Sequence, residues 1–308
     1  MTKTKYFSIL LTALCTLCFG ASQCQNVQSY LSRAAVKERL GDYSAAVKEY
    51  DKVIQLNPEN AFAYYSRGMA KYQLREYQEA ILDFNKGIEL RPDYDICYYA
   101  RGLIKNDSQD YAGAITDFSK SITINPKDKN YFYYRGICET SLEEYAKAIP
   151  DFDKALTLDS NFVSAYYNRG ICKQAIKDNA AAILDFDEVI KLDPTIADSF
   201  QQRGVIKYAM RDFKGAILDF SKTIELKPQD YLSYFYRGST FTGLSDSGAA
   251  IKDFDKAIEL NPAHGPSYAS RGAVYLYLHK KAEGCSDLNT AKTLGVTSVE
   301  DDLLTYCK

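Results

Sequence analysis

Large apolar side chains recur along this chain with the spacing of an α-helix face, in paired stretches separated by short polar turns. The clearest pair spans residues 61–90. AFAYYSRGMAKYQL carries one apolar stripe, the step around Arg75 and Glu76 breaks it, and YQEAILDFNKGIEL carries a second that ends at Arg91-Pro92. Proline recurs at the same place, as Pro58, Pro92, Pro126, Pro194, Pro228 and Pro262, where it cannot continue a helix; Ser160 and Val296 replace it in two units. Neither helix of such a pair can bury its stripe alone, so the pattern predicts neighbouring pairs stacked on one another.

The pattern repeats with a fixed period. Arg-Gly occurs at Arg67, Arg101, Arg135, Arg169, Arg203, Arg237 and Arg271, always 34 residues apart, and one further step back gives Arg33-Ala34. Eight units follow, beginning at Val27, Ala61, Asp95, Lys129, Val163, Ala197, Tyr231 and Gly265. Within them a large aromatic (Tyr30, Tyr64, Tyr98, Phe132, Tyr166, Phe200, Tyr234, Tyr268) precedes the small residue by four positions. The second helix carries an alanine, from Ala46 to Ala250, with an aromatic four residues on, from Tyr50 to Phe254; Gly284 and Leu288 take those places in the last unit. In these residues the chain resembles the tetratricopeptide repeats over residues 27–298. The resemblance implies an all-α, right-handed superhelical solenoid of eight 34-residue helix-turn-helix repeats, with first helices lining a concave face and second helices outside. It departs from the family pattern in Arg before the glycine, Lys at a usual tyrosine, and a weak eighth unit.

Charge recurs with the same period. Each unit has an arginine on its first helix and an acid on its second: Glu49, then Asp83, Asp117, Asp151, Asp185, Asp219, Asp253 and Asp287. A catalytic pair is not needed eight times, so we read a structural ladder of guanidinium–carboxylate pairs between helices. Pro150, inside a second helix, reads as a tolerated kink rather than a hinge. His264 and His279 fall in turns without ligand-spaced partners and read as solvated residues rather than metal ligands.

Composition adds a tyrosine excess, 26 residues against no tryptophan, and a formal charge of −2, which gives no electrostatic ground for a nucleic-acid partner. At the N-terminus Lys3 and Lys5 precede an apolar run over residues 6–19 and the small residues Gly20, Ala21 and Ser22. That run is short for a membrane span and has the form of a signal peptide over residues 1–22, cleaved near Ser22–Gln23, with residues 23–26 as a short lead. Cys15, Cys18 and Cys24 follow Leu14, Leu17 and Gln23, which disfavours the lipoprotein alternative. The expectation is an exported protein, periplasmic or secreted, with no transmembrane segment in the mature chain. Cys97, Cys138 and Cys172 read as core residues. Downstream, Thr297-Ser298-Val299-Glu300 has the form of a capping box before Leu303, Leu304 and Tyr306, and residues 299–308 are read as a C-terminal capping helix. That places Cys307 near Cys285, and export permits a disulfide between them.

No serine elbow, phosphate-binding glycine loop or metal cluster occurs, so no enzyme activity and no cofactor are expected. The resemblance makes the second, fifth, ninth and twelfth positions of each unit the exposed concave face. Of those 32 positions only Glu38 and Asp198 are charged. The face lacks the cations of a carboxylate clamp for chaperone tails. It carries Tyr65, Tyr99, Tyr133, Tyr167 and Phe235 at the fifth position and Tyr72 and Tyr208 at the twelfth. These residues are the candidate partner-binding site, for another protein or an extended peptide. The fifth-position rings are also candidates for packing between units, and a glycan- or envelope-polymer-binding module is the alternative use of the same aromatic stripe.

Overall fold

The structure is a computed structural model that describes residues 25–307; the signal-peptide reading falls outside the described residues. Helix α1 occupies residues 25–39 and is already helical two residues before Val27. First helices then recur as α3 (Ala61–Gln73), α5 (Asp95–Asp107), α7 (Lys129–Ser141), α9 (Val163–Ala175), α11 (Ala197–Ala209), α13 (Tyr231–Gly243) and α15 (Gly265–Tyr277). Second helices are α2 (Tyr43–Leu56), α4 (Tyr77–Leu90), α6 (Tyr111–Ile124), α8 (Tyr145–Leu158), α10 (Asn179–Leu192), α12 (Phe213–Leu226), α14 (Ser247–Leu260) and α16 (Lys281–Thr293). A short 3₁₀ turn, Thr297–Val299, leads into α17 (Glu300–Tyr306). Among the described residues all regular structure is helical. The helices fall into two compact units, α1–α8 up to Asp159 and α9–α17 from Ser160.

Local chemistry sets where each helix begins. Asp42, Asp110, Asp178, Asp212 and Asp246 cap second helices, each accepting a hydrogen bond from the backbone N–H three residues on. Asn60 caps α3 in the same way, and Asp230 caps α13. The turn between the two helices of a repeat passes through the left-handed region at Gly41 and then at Arg75, Gln109, Glu143, Lys177, Arg211, Ser245 and His279. Seven side-chain-bearing residues hold a conformation that favours glycine, so the packed helices, not local preference, impose this turn.

The core of each repeat forms where the two periodic small residues meet the aromatic. Phe84, Phe118, Phe152, Phe186, Phe220 and Phe254 are fully buried. Their rings lie over the first-helix glycines so closely that a Cβ on Gly68 would sit 2.6 Å from Phe84. This contact explains the glycine: the helices cross at a distance that only a missing side chain permits. Pairs then stack, as where Ala80 and Phe84 pack with Ala100 and Ile104 of the next first helix. Pro150 sits on the exposed side of an unbroken α8.

The arginine ladder is built from bidentate pairs. Arg67, Arg101, Arg135, Arg203, Arg237 and Arg271 each grip the second-helix aspartate of their own repeat through Nε and one Nη. The other Nη reaches back to the preceding repeat: Asp51, Asn85, Ser119, Asp187, Ser221 and Asp255 in turn. One guanidinium therefore ties two helices within a repeat and also fixes the next repeat's register. Arg169 pairs with Asp185 in the same bidentate way.

At the C-terminus the capping-box expectation is corrected. Thr297 opens the 3₁₀ turn, the N-cap of α17 is Val299, and no side chain caps that helix. Instead Val299 inserts into a cluster with Leu288 and Ala291, joined by Leu303, and Cys285 and Cys307 form a disulfide with Cα atoms 5.5 Å apart. Burial of Val299 sets the chain direction here, so the threonine never reaches the capping position. The reading of His264 is also corrected. It is half-buried, its Nδ1 is 2.8 Å from the Ser267 hydroxyl, and its ring lies 5.0 Å from those of Tyr231 and Phe235, with burial lowering its pKa. His279 is exposed. Cys97, Cys138 and Cys172 are buried thiols, and burial raises the first two to about 12, which leaves them protonated and unreactive at neutral pH.

Candidate binding face

The first helices of successive repeats touch one another within each unit, α3 with α5 and α5 with α7 in one, α11 with α13 and α13 with α15 in the other. Their shared face therefore brings fifth- and twelfth-position side chains into rows. In the first unit this row holds Tyr65, Tyr72, Tyr99 and Tyr133; in the second it holds Tyr167, Tyr208 and Phe235. All seven are half-buried.

Their buried halves are committed to packing. The Tyr65 ring lies 6.2 Å from Phe84 of its own repeat and 5.8 Å from Tyr94. Tyr99 meets Phe118 at 5.9 Å, Tyr131 at 5.0 Å and Tyr134 at 5.8 Å. Tyr133 meets Phe152, Tyr167 meets Phe186 and Phe235 meets Phe254 in the same relation. Each fifth-position ring thus lids the core phenylalanine of its repeat and leaves only part of itself to the outside. Burial raises the phenol pKa of Tyr65, Tyr99 and Tyr167, so these hydroxyls stay protonated donors. The twelfth-position tyrosines are held differently. Tyr72 packs on Tyr77 and donates to the Asp107 carboxylate at 2.8 Å, whereas Tyr208 packs on Phe213.

The periodic reading missed three features of the face. Phe62, at the second position, is 49% exposed and the most open aromatic ring of the first helices before Tyr277. Tyr94 lies in the turn that closes the repeat of Tyr65, and Tyr131 lies at the start of the helix that follows the repeat of Tyr99; the contact of Tyr131 with the row arises only on stacking. Asp198, one of the face's two charges, is spent on Lys227 at 2.7 Å. Glu38, the other, lies in a cavity of about 670 Å³ between α1, α2 and α3. Among the described residues no group of His, Cys, Asp and Glu could hold a metal ion, and no helix is long and apolar enough to cross a membrane.

The family models agree with this architecture. Models described as TPR repeat match residues 39–75, and models described as tetratricopeptide repeat match residues 61–94, 99–161, 163–196 and 232–264. The chain belongs to the tetratricopeptide repeat family. Among solved structures it is similar to YrrB, described as a TPR protein with an unusual peptide-binding site, at 25% identity and a TM-score of 0.56 over 60% of this chain and 95% of that one. It is similar to MamA at 27% identity and a TM-score of 0.53, over 55% of this chain and 92% of MamA. The C-terminal part of a TPR repeat-containing protein from Cytophaga hutchinsonii shares the fold at 20% identity, with a TM-score of 0.65 over 76% of this chain and 96% of that one. No curated protein matches the sequence.

Proposed function

We propose that this tetratricopeptide repeat protein is an exported, non-catalytic scaffold that binds a polypeptide partner along the face of its first helices. The observation that carries the reading is the character of that face: rows of half-buried aromatic rings, with Glu38 and Asp198 as its only charges over 32 positions. A peptide offers the apolar side chains and backbone hydrogen-bond groups that suit rigid tyrosines, which give contact area at low entropic cost. The similarity to YrrB, whose description names a peptide-binding site, supports the same reading. Half-buried rings present less open face for a sugar to stack on, which favours a polypeptide over a glycan. Export rests on the N-terminal pattern of basic, apolar and small residues.

Photo-crosslinking tests this. Benzoylphenylalanine placed at Phe62 or Leu232 on the first helices should capture a discrete polypeptide in cells that express the full chain. The same group at Leu82 or Leu218, exposed on second helices, should not. Equal capture from both sets, or none from the first-helix positions, would reject the assignment. Cell fractionation with N-terminal sequencing checks export, and an intact N-terminus on cytoplasmic protein would end that part.

A further inference from the structure

The cavity between α1, α2 and α3 originates in a break of the repeat. At the fifth position, where α3 and α5 carry Tyr65 and Tyr99, α1 carries Leu31; at the ninth it carries Ala35 in place of Met69 and Leu103. These smaller side chains leave open the volume that a ring closes in the following repeats. Tyr43, Tyr50, Phe62, Tyr65 and Met69 remain as walls, and among the described residues Glu38 is the only carboxylate in the lining. The volume falls in the range of sites that hold small ligands or anchoring side chains.

The electrostatics choose the occupant. Glu38 is half-buried and makes no ion pair among the described residues. Burial raises its pKa, and the Tyr50 hydroxyl beside it acts the other way by stabilising the charge. Arg39, next in sequence and also in the lining, is exposed at the rim, where water screens its charge, and directs its Nε to the Ala35 carbonyl at 3.3 Å. A cation in this cavity would be attracted both by the carboxylate and by the negative faces of the rings. A neutral group would strip water from the carboxylate without compensation, and an anion beside Glu38 would be repelled by it.

We propose that this cavity receives a basic side chain of the bound polypeptide, an ammonium or guanidinium on an aliphatic stem. The stem lies against Phe62 and Met69 and the cation meets Glu38. The proposal deepens the scaffold reading by giving the partner a basic anchor residue. It is testable without that partner, so the failure of one does not entail the failure of the other.

The probes are Nα-acetyl-lysine methylamide and Nα-acetyl-norleucine methylamide, which keeps the aliphatic stem without the ammonium, titrated into the full chain carrying 13C-methyl methionine. Met69 reports on the cavity, and Met210, 51% exposed beyond α11, serves as the control. The lysine probe should shift the Met69 signal saturably and leave Met210 unmoved. The norleucine probe should bind at least about tenfold more weakly. Glu38→Gln should bring the two probes to within about twofold of each other, and Phe62→Ala should weaken the lysine probe severalfold. Equal affinities in the parent protein, discrimination that survives Glu38→Gln, or no Met69 shift at any soluble concentration would overturn the proposal. A Met69 signal that moves with protein concentration alone would assign the cavity to a second copy and equally overturn it.

Discussion

Glu139 gives the sharpest energetic test of this structure. At the equivalent place in other repeats a lysine puts its ammonium on the ladder aspartate: Lys71 on Asp83, Lys105 on Asp117, Lys173 on Asp185 and Lys207 on Asp219, at 2.8–2.9 Å. In the fourth repeat the residue is a glutamate, so its carboxylate faces Asp151 instead. One Glu139 carboxylate oxygen is buried and has no hydrogen-bond partner among the described residues. Burial, then the charge of Asp151, raises its pKa from 4.5 to about 7, with Glu144 adding to the rise and Arg135 and Lys147 opposing it. Because the folded value lies above the unfolded one, proton binding favours folding. That contribution is complete below 4.5 and is lost as pH rises to about 7. A fully buried group would lose about 3 kcal/mol over this interval; the partial exposure of Glu139 reduces this to about 1–2 kcal/mol. Urea unfolding followed by far-UV circular dichroism at about pH 5 and about pH 8 reads the effect. Glu139→Gln should be nearly neutral at the lower pH and stabilise by about 1–2 kcal/mol at the higher one. Glu139→Lys should stabilise at least as much at the higher pH, since it restores the ion pair that four other repeats make. A difference between parent and Glu139→Gln that does not change with pH would refute the argument.

Three further outcomes follow from the packing. Asp219→Ala leaves Arg203 and Lys207 without their shared carboxylate, and Asp187 retains only part of the pairing, so unfolding free energy should fall by about 3 kcal/mol; a loss below about 1 kcal/mol in urea unfolding would mean these charges are solvated. Gly102→Ala would place a Cβ 2.7 Å from the Phe118 ring, and thermal melting should show a cost of about 1–3 kcal/mol; an unchanged melt would mean that the ring moves aside freely. Cys285→Ser with Cys307→Ser opens a link that spans 22 residues, for an expected loss of about 3 kcal/mol on the chain-entropy account. Proteolysis should then begin within residues 294–308, and free thiols on both residues in exported parent protein would remove the basis for this expectation.

The chain's period of 34 residues fixes the fold class, because each repeated small residue and aromatic answers a local demand that the next repeat makes again. Helix α4 ends at Leu90, before Arg91-Pro92, and α3 begins behind Asn60, because a missing N–H and a capping side chain act within a few residues. Such short-range chemistry is readable along a line. The face of the first helices was legible in the same way, since position along a helix dictates direction.

Which atoms each side chain meets was settled only by stacking. The sequence contains the arginine ladder but not its reach back to Asp51, Asn85 or Ser119, which depends on the offset between neighbouring pairs. It places Tyr99 on the candidate face, but only the approach of α7 brings Tyr131 and Tyr134 against that ring and turns it into a packed surface. It offers Thr297 as a cap, yet burial of Val299 outweighs that local preference. The cavity at Glu38 likewise exists because Leu31 and Ala35 are smaller than the residues that fill the same volume one repeat later, a difference that acquires meaning only when α1, α2 and α3 are packed together. Helix identity and direction follow from contacts three and four residues apart, whereas partners and cavities depend on distances between residues 16 or 34 apart, which tertiary packing alone determines.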